Sequence, residues 1–228
     1  MITSKNLSFG YGRGSLLKEV TFSVKNGEMV ALLGHNGSGK TTLLKLLNGL
    51  LSPTSGTVEI DGSDSSSNDA RQKMGMVFQN PEDQLVYTTV EEDIAFGLEN
   101  IGVSPPEMRR RVQSILRELG ISSLSKREVS TLSFGQTQLV ALAGVLALNP
   151  TTLLFDEPTT MLDWRNKSVF WRALKKIAPE HSILFSTNDL QDLKHATRVL
   201  LLHGGALLFD GTPSQLTRAL LKRAELDG

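Results

Sequence analysis

A glycine-rich run between an apolar stretch and a leucine-rich stretch constrains this chain more than any other feature. The run, Gly34 to Thr41, reads G-H-N-G-S-G-K-T and directly follows the apolar residues Met29 to Leu33. From Lys40 to Leu50, leucines then recur at helical spacing. A short apolar run indicates a buried strand, and this recurrence indicates a helix. The sequence therefore predicts a strand, a tight loop and a helix in direct succession, which is a unit of α/β folds.

The pattern on either side extends this unit to a whole α/β core. Short β-rich runs bounded by turns precede and follow the loop, at Met1 to Phe9, Val20 to Val24 and Val58 to Ile60. Later apolar runs alternate with helical patterns such as Lys167 to Ile177, as buried parallel strands do. These runs are Leu153 to Phe155, Ile183 to Phe185 and Val199 to Leu202. The predicted fold class is α/β, with a mostly parallel sheet covered by helices and an N-terminal antiparallel β part.

A helical segment interrupts this core. Strand signals are almost absent from residues 80–149, and helical patterns occupy Val90 to Asn100, Pro105 to Leu119 and Gln136 to Leu148. We therefore predict a single domain over residues 1–228, in which 1–79 and 150–228 form the α/β core and 80–149 form an inserted helical lobe. The Ser-, Asn- and Asp-rich stretch Ser63 to Asp69 is predicted as an exposed loop.

Composition excludes several classes of function. The 24 basic and 24 acidic residues cancel, so no overall field attracts nucleic acid or an anionic membrane surface. Cysteine is absent, which excludes disulfides and thiolate metal sites and fits a reducing, cytoplasmic setting. The longest apolar runs fall far short of the about 20 residues that span a bilayer. We therefore expect a soluble protein with no nucleic acid partner, whose membrane role, if it has one, comes through other proteins.

The glycine-rich run has the pattern of a phosphate-binding loop. It matches G-x-x-x-x-G-K-[ST], in which glycines let backbone N–H groups curl around phosphates. Lys40 is expected to neutralise the β- and γ-phosphates, and Thr41 to supply a hydroxyl to Mg²⁺. A chance glycine-rich turn is the alternative, which the strand before the loop and the helix after it disfavour. The candidate nucleotide-binding residues here are Gly34, His35, Asn36, Gly37, Ser38, Gly39, Lys40, Thr41 and Thr42.

Two adjacent carboxylates end the apolar run that begins at Thr152. Neighbouring side chains on a strand point in opposite directions, so Asp156 and Glu157 can serve different purposes. Asp156 is the candidate that holds Mg²⁺ through water, and Glu157 the candidate that polarises an attacking water. Solvated turn carboxylates are the alternative, which the phosphate-binding loop disfavours. Together the two motifs predict a P-loop nucleotide hydrolase.

A third motif resembles the signature of one family of such hydrolases. Leu132 to Gln136 reads L-S-F-G-Q and resembles the L-S-G-G-Q motif of ABC ATPases. The resemblance implies ATP and Mg²⁺ as cofactors. It implies that Gln79 takes part in catalysis and metal binding, that Asp163 contacts nucleotide, and that Tyr11 stacks on adenine, with Phe9 as the alternative ring.

The signature motif also has a local structural interpretation. Ser133 and Gln136 form S-x-x-Q at the start of an apolar helical run, which is the pattern of a helix cap. The family resemblance implies in addition that Ser133, Gly135 and Gln136 face the nucleotide held by the opposite subunit of a dimer. The two interpretations are compatible, because a capped helix start still presents N–H groups outward.

Two further segments resemble the energy-coupling-factor branch of the family, whose ATPases drive uptake of vitamins or of cobalt and nickel ions. Met76 to Leu85 reads M-V-F-Q-N-P-E-D-Q-L, and Thr89 to Gly97 reads T-V-E-E-D-I-A-F-G. The resemblance implies an ATP-hydrolysing importer subunit, peripheral on the cytoplasmic face of the cell membrane. The implied partners are a second ABC ATPase, a transmembrane coupling component and a substrate-binding membrane component.

Three positions depart from the family pattern. Asn188 stands in T-N-D, where the family usually has a histidine, and it can donate a neutral hydrogen bond but cannot carry a proton. Phe134 replaces the first glycine of the signature, and Leu139 stands where the family favours arginine. Asn188 joins Glu157 and Gln79 as a candidate catalytic residue, and its identity favours a heterodimer with a related ATPase. The alternatives are an ATP-binding subunit with weak or no hydrolysis that completes a partner's site, and a soluble ABC ATPase outside transport.

Overall fold

A computed structural model describes residues 1–12 and 14–226 of the chain. In chain order the strands are β1 (Ile2–Phe9), β2 (Leu17–Val24), β3 (Met29–Leu33), β4 (Ser55–Ile60), β5 (Ser63–Asp64), β6 (Met74–Val77), β7 (Thr152–Phe155), β8 (Ser182–Thr187), β9 (Arg198–His203) and β10 (Ala206–Gly211). The α-helices are α1 (Lys40–Leu47), α2 (Asn68–Gln72), α3 (Val90–Asn100), α4 (Pro105–Glu118), α5 (Phe134–Ala147), α6 (Trp164–Ile177) and α7 (Arg218–Arg223). Within this described part of the chain, none of the helices has the length and apolar character needed to cross a membrane.

Two sheets carry the fold. The first is antiparallel, with the strand order β2-β1-β4-β5. The second has the order β10-β9-β3-β8-β7-β6, and its strand pairs are parallel except for β10 with β9. The predicted α/β class, with a mostly parallel sheet and an N-terminal antiparallel β part, is confirmed.

The central parallel strands are continuous apolar runs because both of their faces are covered. Every residue of β3, β7 and β8 is buried. Alternate residues of β3 enter opposite cores: Ala31 and Leu33 pack with the helices α5 and α6, whereas Val30 and Leu32 pack with β1 and α1. The direct pairing of β3 with β8 and of β8 with β7 sets the carboxyl ends of these strands side by side.

The segment between β6 and β7 contributes α3, α4 and α5. The Glu92 side chain caps the start of α3, since its Oε2 accepts from the N–H and from the hydroxyl of Thr89, at 3.1 and 2.6 Å. One face of α3 buries Val90, Ile94 and Leu98 in the same core that holds Ala31 and Leu33 of β3. The helical patterns predicted for this segment therefore form amphipathic helices that extend the core of the parallel sheet.

The prediction of a simple exposed loop from Ser63 to Asp69 is wrong. The stretch begins with β5 and leads into α2, and Ser65 between them is buried, with its N–H donating to the Val58 carbonyl at 3.0 Å. Ser67 caps α2, because its Oγ accepts from the N–H of Ala70 at 3.1 Å. Small polar residues are typical of loops, but here they supply a cap and a strand pairing.

The sequence does not predict β6 or β10, and it predicts too long a first helix. A Cβ on Gly75 of β6 would lie 2.1 Å from Val145 Cγ1 of α5, so this glycine, which weakens the strand pattern, permits the close packing of α5 on β6. β10 is an edge strand whose residues are mostly half-buried. Helix α1 ends at Leu47 and not at Leu50, because Gly49 adopts a left-handed backbone with φ 67°.

The aromatic cluster on α6 places a histidine against tryptophan. The rings of Trp171 and His195 stack with centroids 4.6 Å apart and planes inclined by 19°. Burial, together with the charges of Lys175 and Lys194, lowers the pKa of His195 from 6.5 to about 4. Between these pH values the unfolded chain binds a proton that the folded chain does not bind. The contribution of neutral His195 to the free energy of unfolding is therefore fully present above pH 6.5, the pKa of the unfolded chain. It is lost as pH falls toward about 4, the pKa of the folded chain.

We expect His195→Phe to make the free energy of unfolding depend less on pH between about 4 and 6.5. Phenylalanine keeps an aromatic ring beside Trp171 but does not titrate, so the variant should lose less free energy of unfolding than the unmodified chain as pH falls from about 6.5 to about 4. Urea unfolding of both chains at a series of pH values measures the difference. Parallel pH profiles would show that His195 protonation does not differ between the folded and unfolded states.

Candidate active site

The segment between β3 and α1 forms a cavity with the residues that follow β6, β7 and β8. This space, which we call the loop cavity, has a volume of about 480 Å³. Its lining residues are Leu16, Asn36, Gly37, Gly39, Lys40, Thr41, Thr42, Gln79, Glu157, Thr160 and Asn188. The structure thus brings together the glycine-rich run and all three residues that the sequence singles out as candidate catalytic groups.

Two glycines are required by the geometry of the loop. A Cβ on Gly34 would lie 2.5 Å from Ser38 Oγ and 2.7 Å from the carbonyl oxygen of Leu202. Gly39 directly precedes α1 with φ 102°, which disfavours any residue with a side chain. The loop can therefore fold back on itself and end in a helix whose first N–H groups and positive dipole end favour an anion.

Lys40 is buried beside this loop and its charge is already engaged. Its Nζ donates to the carbonyls of Gly34 at 2.8 Å and His35 at 3.1 Å, and it pairs with Glu157 Oε1 at 3.2 Å. The Ser38 hydroxyl is also buried and has no hydrogen-bond partner among the described residues. A buried hydroxyl with unused hydrogen-bonding capacity, close to a buried ammonium group, fits the binding of a phosphate.

The two carboxylates that follow β7 diverge. Glu157 has φ 45°, and its Oε2 accepts from Thr160 Oγ1 at 3.2 Å and from Gln79 Nε2 at 3.5 Å within the loop cavity. Asp156 is buried and lines an adjoining pocket. Thr41 and Gln79 line both spaces, so they lie between the two carboxylates. Both residues lie beyond β7, which ends at Phe155, so the left-handed backbone of Glu157, and not the alternation of side chains on a strand, accounts for this divergence.

The candidate metal ligands fit a cation that is bound jointly with phosphate. No three histidine or carboxylate side chains within residues 1–12 and 14–226 come together as a metal site of their own. Thr41, Gln79 and Asp156 instead offer a hydroxyl, an amide and one carboxylate around the adjoining pocket. Mg²⁺ is commonly held in this way, by one or two protein carboxylates together with water and substrate phosphates.

Asn188 directly follows β8 and reaches the loop cavity. Its Nδ2 donates to Asn36 Oδ1 at 2.9 Å, which ties the amide to the glycine-rich loop. The next residue, Asp189, pairs with Lys167 Nζ at 2.9 Å. Asn188 therefore borders the same space as the glycine-rich loop, and its amide can donate to a ligand there.

Sequence reasoning missed several residues that contact the site. Thr160 lies one turn after Glu157 and donates to its carboxylate. Ser186 in β8 donates to Asp156 Oδ1 at 2.7 Å and accepts from the N–H of Glu157 at 2.9 Å. Leu16 lines the cavity from the segment before β2. The available sequence signal was the polar pair Ser186 and Thr187, which directly follows the apolar run Ile183 to Phe185.

The signature residues lie outside the loop cavity. Ser133 caps α5 reciprocally: its Oγ accepts from the N–H of Gln136 at 3.4 Å, and its own N–H donates to Gln136 Oε1 at 3.0 Å. The predicted cap is therefore confirmed. A Cβ on Gly135 would lie 2.5 Å from Asn166 Cγ, so this glycine allows α6 to approach α5. Phe134 is half-buried and lines the pocket that adjoins the loop cavity.

Asp163, Tyr11 and His35, which the sequence predicts as nucleotide contacts, each contact a nearby residue of this chain in the structure. Asp163 directly precedes α6 and caps it, because its carboxylate accepts from the N–H of Asn166 at 2.8 Å. Tyr11 is 59% exposed and meets Phe9 edge-on, with centroids 4.9 Å apart. His35 packs edge-on against His203 of β9, at 5.7 Å between centroids. The assignment of adenine stacking to Tyr11 stays a prediction.

Comparison with known proteins gives extensive matches. A family model described as ABC transporter matches residues 17–160. The energy-coupling factor transporter ATP-binding protein EcfA1 of Enterococcus faecalis is 42% identical over 227 residues, which cover 96% of this chain and 81% of that protein. The protein of the same name from Clostridioides difficile is 39% identical, and the match covers 100% of this chain and 86% of that protein.

Solved structures agree with these relatives. The structure of cbiO1 from Clostridium perfringens, part of the ABC transporter complex cbiONQ, superposes with a TM-score of 0.88 at 32% identity and covers 99% of this chain and 94% of its own. A dimeric ATP-binding cassette in a post-hydrolysis state with ADP and Pi bound gives a TM-score of 0.82 at 29% identity, with 93% and 99% coverage. The sequence, the fold and the arrangement of the loop cavity thus agree, and the chain belongs to the ABC transporter family, among the ATP-binding proteins of its energy-coupling-factor branch.

Proposed function

We propose that this chain binds and hydrolyses ATP to power a membrane importer of the energy-coupling-factor type. The observation that supports this most is the convergence of Lys40, Thr41, Gln79, Glu157 and Asn188 on one cavity from four separate segments. They supply a cation for phosphate, a hydroxyl for a metal ion, a carboxylate for water and neutral donors for developing charge, which are the parts that phosphoryl transfer requires.

Phosphate binding is assigned to the loop cavity. On binding, the Lys40 ammonium would exchange its contacts with two backbone carbonyls and Glu157 for phosphate oxygens, and the Ser38 hydroxyl would gain a partner. The proposed contacts of the loop with the phosphates come from Gly34, His35, Asn36, Gly37, Ser38, Gly39, Lys40, Thr41 and Thr42. Mg²⁺ would be held by Thr41, Gln79 and Asp156, and when bound it neutralises charge on the phosphates.

Glu157 is proposed to orient and polarise the attacking water. In this structure its carboxylate is paired with Lys40, so a phosphate that attracts Lys40 also makes Glu157 available to water. Gln79 already contacts Glu157 and borders the cavity, where its amide can respond to the γ-phosphate. Asn188 is proposed as a neutral donor to charge that develops in the transition state.

A second ABC ATPase is proposed to complete each site. Ser133, Gly135 and Gln136 lie at the start of α5, outside the loop cavity, and Asp163 lies at the start of α6. In a dimer these helix starts would face the nucleotide of the opposite subunit, while Tyr11 would stack on the adenine of its own site. One solved structure similar to this chain is a dimeric cassette with ADP and Pi bound.

Membrane components are proposed as the other partners. The chain would be peripheral on the cytoplasmic face, with residues 80–149 as the helical subdomain of a single ATPase domain. Val86 is 65% exposed, and the partly exposed rings of Tyr87 and Phe96 lie 5.1 Å apart, so this subdomain presents apolar surface. That surface supports contact with a transmembrane coupling component, which in turn would associate with a substrate-binding membrane component. With its balanced charge, the chain is assigned no nucleic acid partner.

One observation favours a second candidate function. Asn188 occupies the cavity without a group that can become cationic, so this chain could bind ATP with weak or no hydrolysis and complete the site of its partner. Turnover at the site that contains Lys40 separates the two functions.

We expect Lys40→Ala to weaken ATP binding. The substitution removes the main side-chain charge on the phosphates, and contacts of this kind contribute about 1.5–3 kcal/mol, which corresponds to roughly 10- to 150-fold in Kd. It also leaves the Glu157 carboxylate close to the phosphates without its ion-pair partner. The measurement is a calorimetric titration with ATP. Lys5→Ala, which breaks an ion pair with Glu59 on the antiparallel sheet, should leave Kd unchanged. An unchanged Kd in Lys40→Ala would contradict the assignment of this loop to phosphate.

We expect the isolated chain to hydrolyse ATP more slowly than its native membrane complex. A homodimer would carry Asn188 and the altered Leu132 to Gln136 motif in both of its sites. A heterodimer could combine one altered half with one intact half in each site. Affinity purification of the tagged chain from native membranes, followed by ATPase assays on the complex and on the chain alone, tests both the partners and the pairing. Equal specific rates would rule out the need for a different partner.

A further inference from the structure

We infer that Ser186 is a positioning residue for ATP hydrolysis, whose single hydroxyl fixes the carboxylate of Asp156 and the backbone of Glu157 at the same time. The inference rests on the proposed roles of these two acidic residues. It adds a buried residue that acts through its contacts with Asp156 and Glu157.

Strand register brings Ser186 to this position. β8 pairs with β7 in parallel, and Phe185 lies opposite Phe155, so the next residues of the two strands, Ser186 and Asp156, are neighbours where β7 ends. Ser186 is fully buried. Its hydroxyl donates to Asp156 Oδ1 at 2.7 Å and accepts from the N–H of Glu157 at 2.9 Å, so both its donor and one acceptor direction are in use.

The bond to Asp156 constrains the proposed metal ligand. A buried carboxylate that can rotate about its χ2 angle presents no fixed oxygen to a cation, whereas a hydrogen bond to Oδ1 sets the plane of the group. Asp156 lines the pocket that also contains Thr41 and Gln79, the other two proposed ligands. Groups that orient metal ligands in this manner affect metal affinity without touching the metal.

The bond to Glu157 constrains the proposed water-orienting group. Glu157 has φ 45°, in the left-handed region that residues with a side chain disfavour. This backbone turn allows its carboxylate to reach Lys40 at 3.2 Å and Gln79 at 3.5 Å. The Ser186 hydroxyl accepts the N–H of the same residue and so helps to hold the turn. One buried hydroxyl therefore fixes the separation between the metal ligand and the group that orients water.

The same strand contains a matched control. Ser182 begins β8, is fully buried like Ser186, and donates to a side-chain oxygen, Asn26 Oδ1, at 2.7 Å. Ser182→Ala and Ser186→Ala thus each remove one buried hydroxyl and one donated hydrogen bond of 2.7 Å, and Ser186→Ala also removes the bond accepted from the N–H of Glu157. Only the second removes a contact with Asp156 and Glu157.

The test compares these two variants in two measurements. In the native complex, with the partner ATPase disabled at its own catalytic glutamate, Ser186→Ala should lower kcat by about 10- to 100-fold and leave KM for ATP unchanged. On the full chain with a non-hydrolysable ATP analogue, Mn²⁺ binding followed by electron paramagnetic resonance should weaken by about 10-fold or more. Ser182→Ala should retain the kcat and the Mn²⁺ affinity of the unmodified chain, and Ser186→Ala, which loses one hydrogen bond more, should lower Tm at least as much as Ser182→Ala.

The outcomes separate this inference from the function on which it rests. If the unmodified chain hydrolyses ATP and binds Mn²⁺, and the two serine variants behave alike, Ser186 is only a structural residue and the inference is overturned. If the unmodified chain shows neither turnover nor nucleotide-dependent Mn²⁺ binding, the proposed function fails and the role of Ser186 fails with it. A selective loss in Ser186→Ala of both kcat and Mn²⁺ affinity supports the inference.

Discussion

Glu157→Gln is expected to lower ATP turnover at the site of this chain by about 10²- to 10⁴-fold, which is the range that a positioned general base contributes. Glutamine has nearly the same shape, so the left-handed turn at this residue and the contact with Gln79 can persist. What the substitution removes is the negative charge that polarises water. The effect should therefore appear in kcat.

ATP affinity should respond in the opposite direction. The Glu157 carboxylate is 12% exposed and pairs with the buried Lys40 ammonium, so it competes with phosphate for this cation. The neutral glutamine side chain competes less, and Kd for ATP should stay equal or decrease. Combining Glu157→Gln with Lys40→Ala should restore part of the affinity that Lys40→Ala loses, because no unpaired carboxylate then faces the phosphates.

The measurement is single-site turnover in the native complex, together with a calorimetric Kd for each variant. Glu59→Gln is a matched control, because Glu59 also pairs with a lysine, Lys5, at 3.1 Å, but lies on the antiparallel sheet. Its turnover should equal that of the unmodified complex. A Glu157→Gln variant with unchanged turnover would assign water activation to another group and contradict the proposed role of Glu157.

Local patterns in the sequence predict the parts of the site that one segment builds alone. The loop from Gly34 to Thr41 needs only its own glycines and the flanking strand and helix, so the motif specifies it. Adjacent carboxylates after one strand likewise predict two different roles, although the left-handed turn at Glu157 that separates Asp156 from Glu157 is not evident from the pattern. The capping box of Ser133 is another local feature that the structure confirms.

Features that depend on two distant segments could not be predicted in this way. Ser186 contacts Asp156 only because β8 pairs with β7 in one particular register, and no pattern within either strand specifies this register. β6 was not predicted for a related reason. Gly75 weakens its strand pattern, and only the close packing of Val145 of α5 against this position explains the glycine. The prediction of a loop from Ser63 was wrong because β5 pairs with β4 through backbone groups, which composition does not reveal.

Asn188→His is expected to raise turnover at the site of this chain by up to about 10²- to 10³-fold, the range that one positioned donor to a developing charge supplies. The present amide donates one hydrogen to Asn36 Oδ1 at 2.9 Å, so only part of its capacity is directed at a ligand. An imidazole is longer, and in its protonated form it brings a positive charge to the γ-phosphate. Glu157 and Gln79 already border the cavity, so the other catalytic parts are in place.

The gain should appear in kcat and leave KM for ATP nearly unchanged, because a neutral amide binds the ground-state phosphate almost as well as an imidazole does. Single-site turnover is measured in the complex with the partner's own catalytic glutamate disabled, since a competent second site would mask the change. Asn188→Gln separates reach from charge, because glutamine extends the amide by one methylene and stays neutral. If Asn188→Gln matches Asn188→His, the limit of the native residue is its length. If only histidine raises kcat, the limit is its inability to carry charge. If neither does, Asn188 already suffices for turnover at this site.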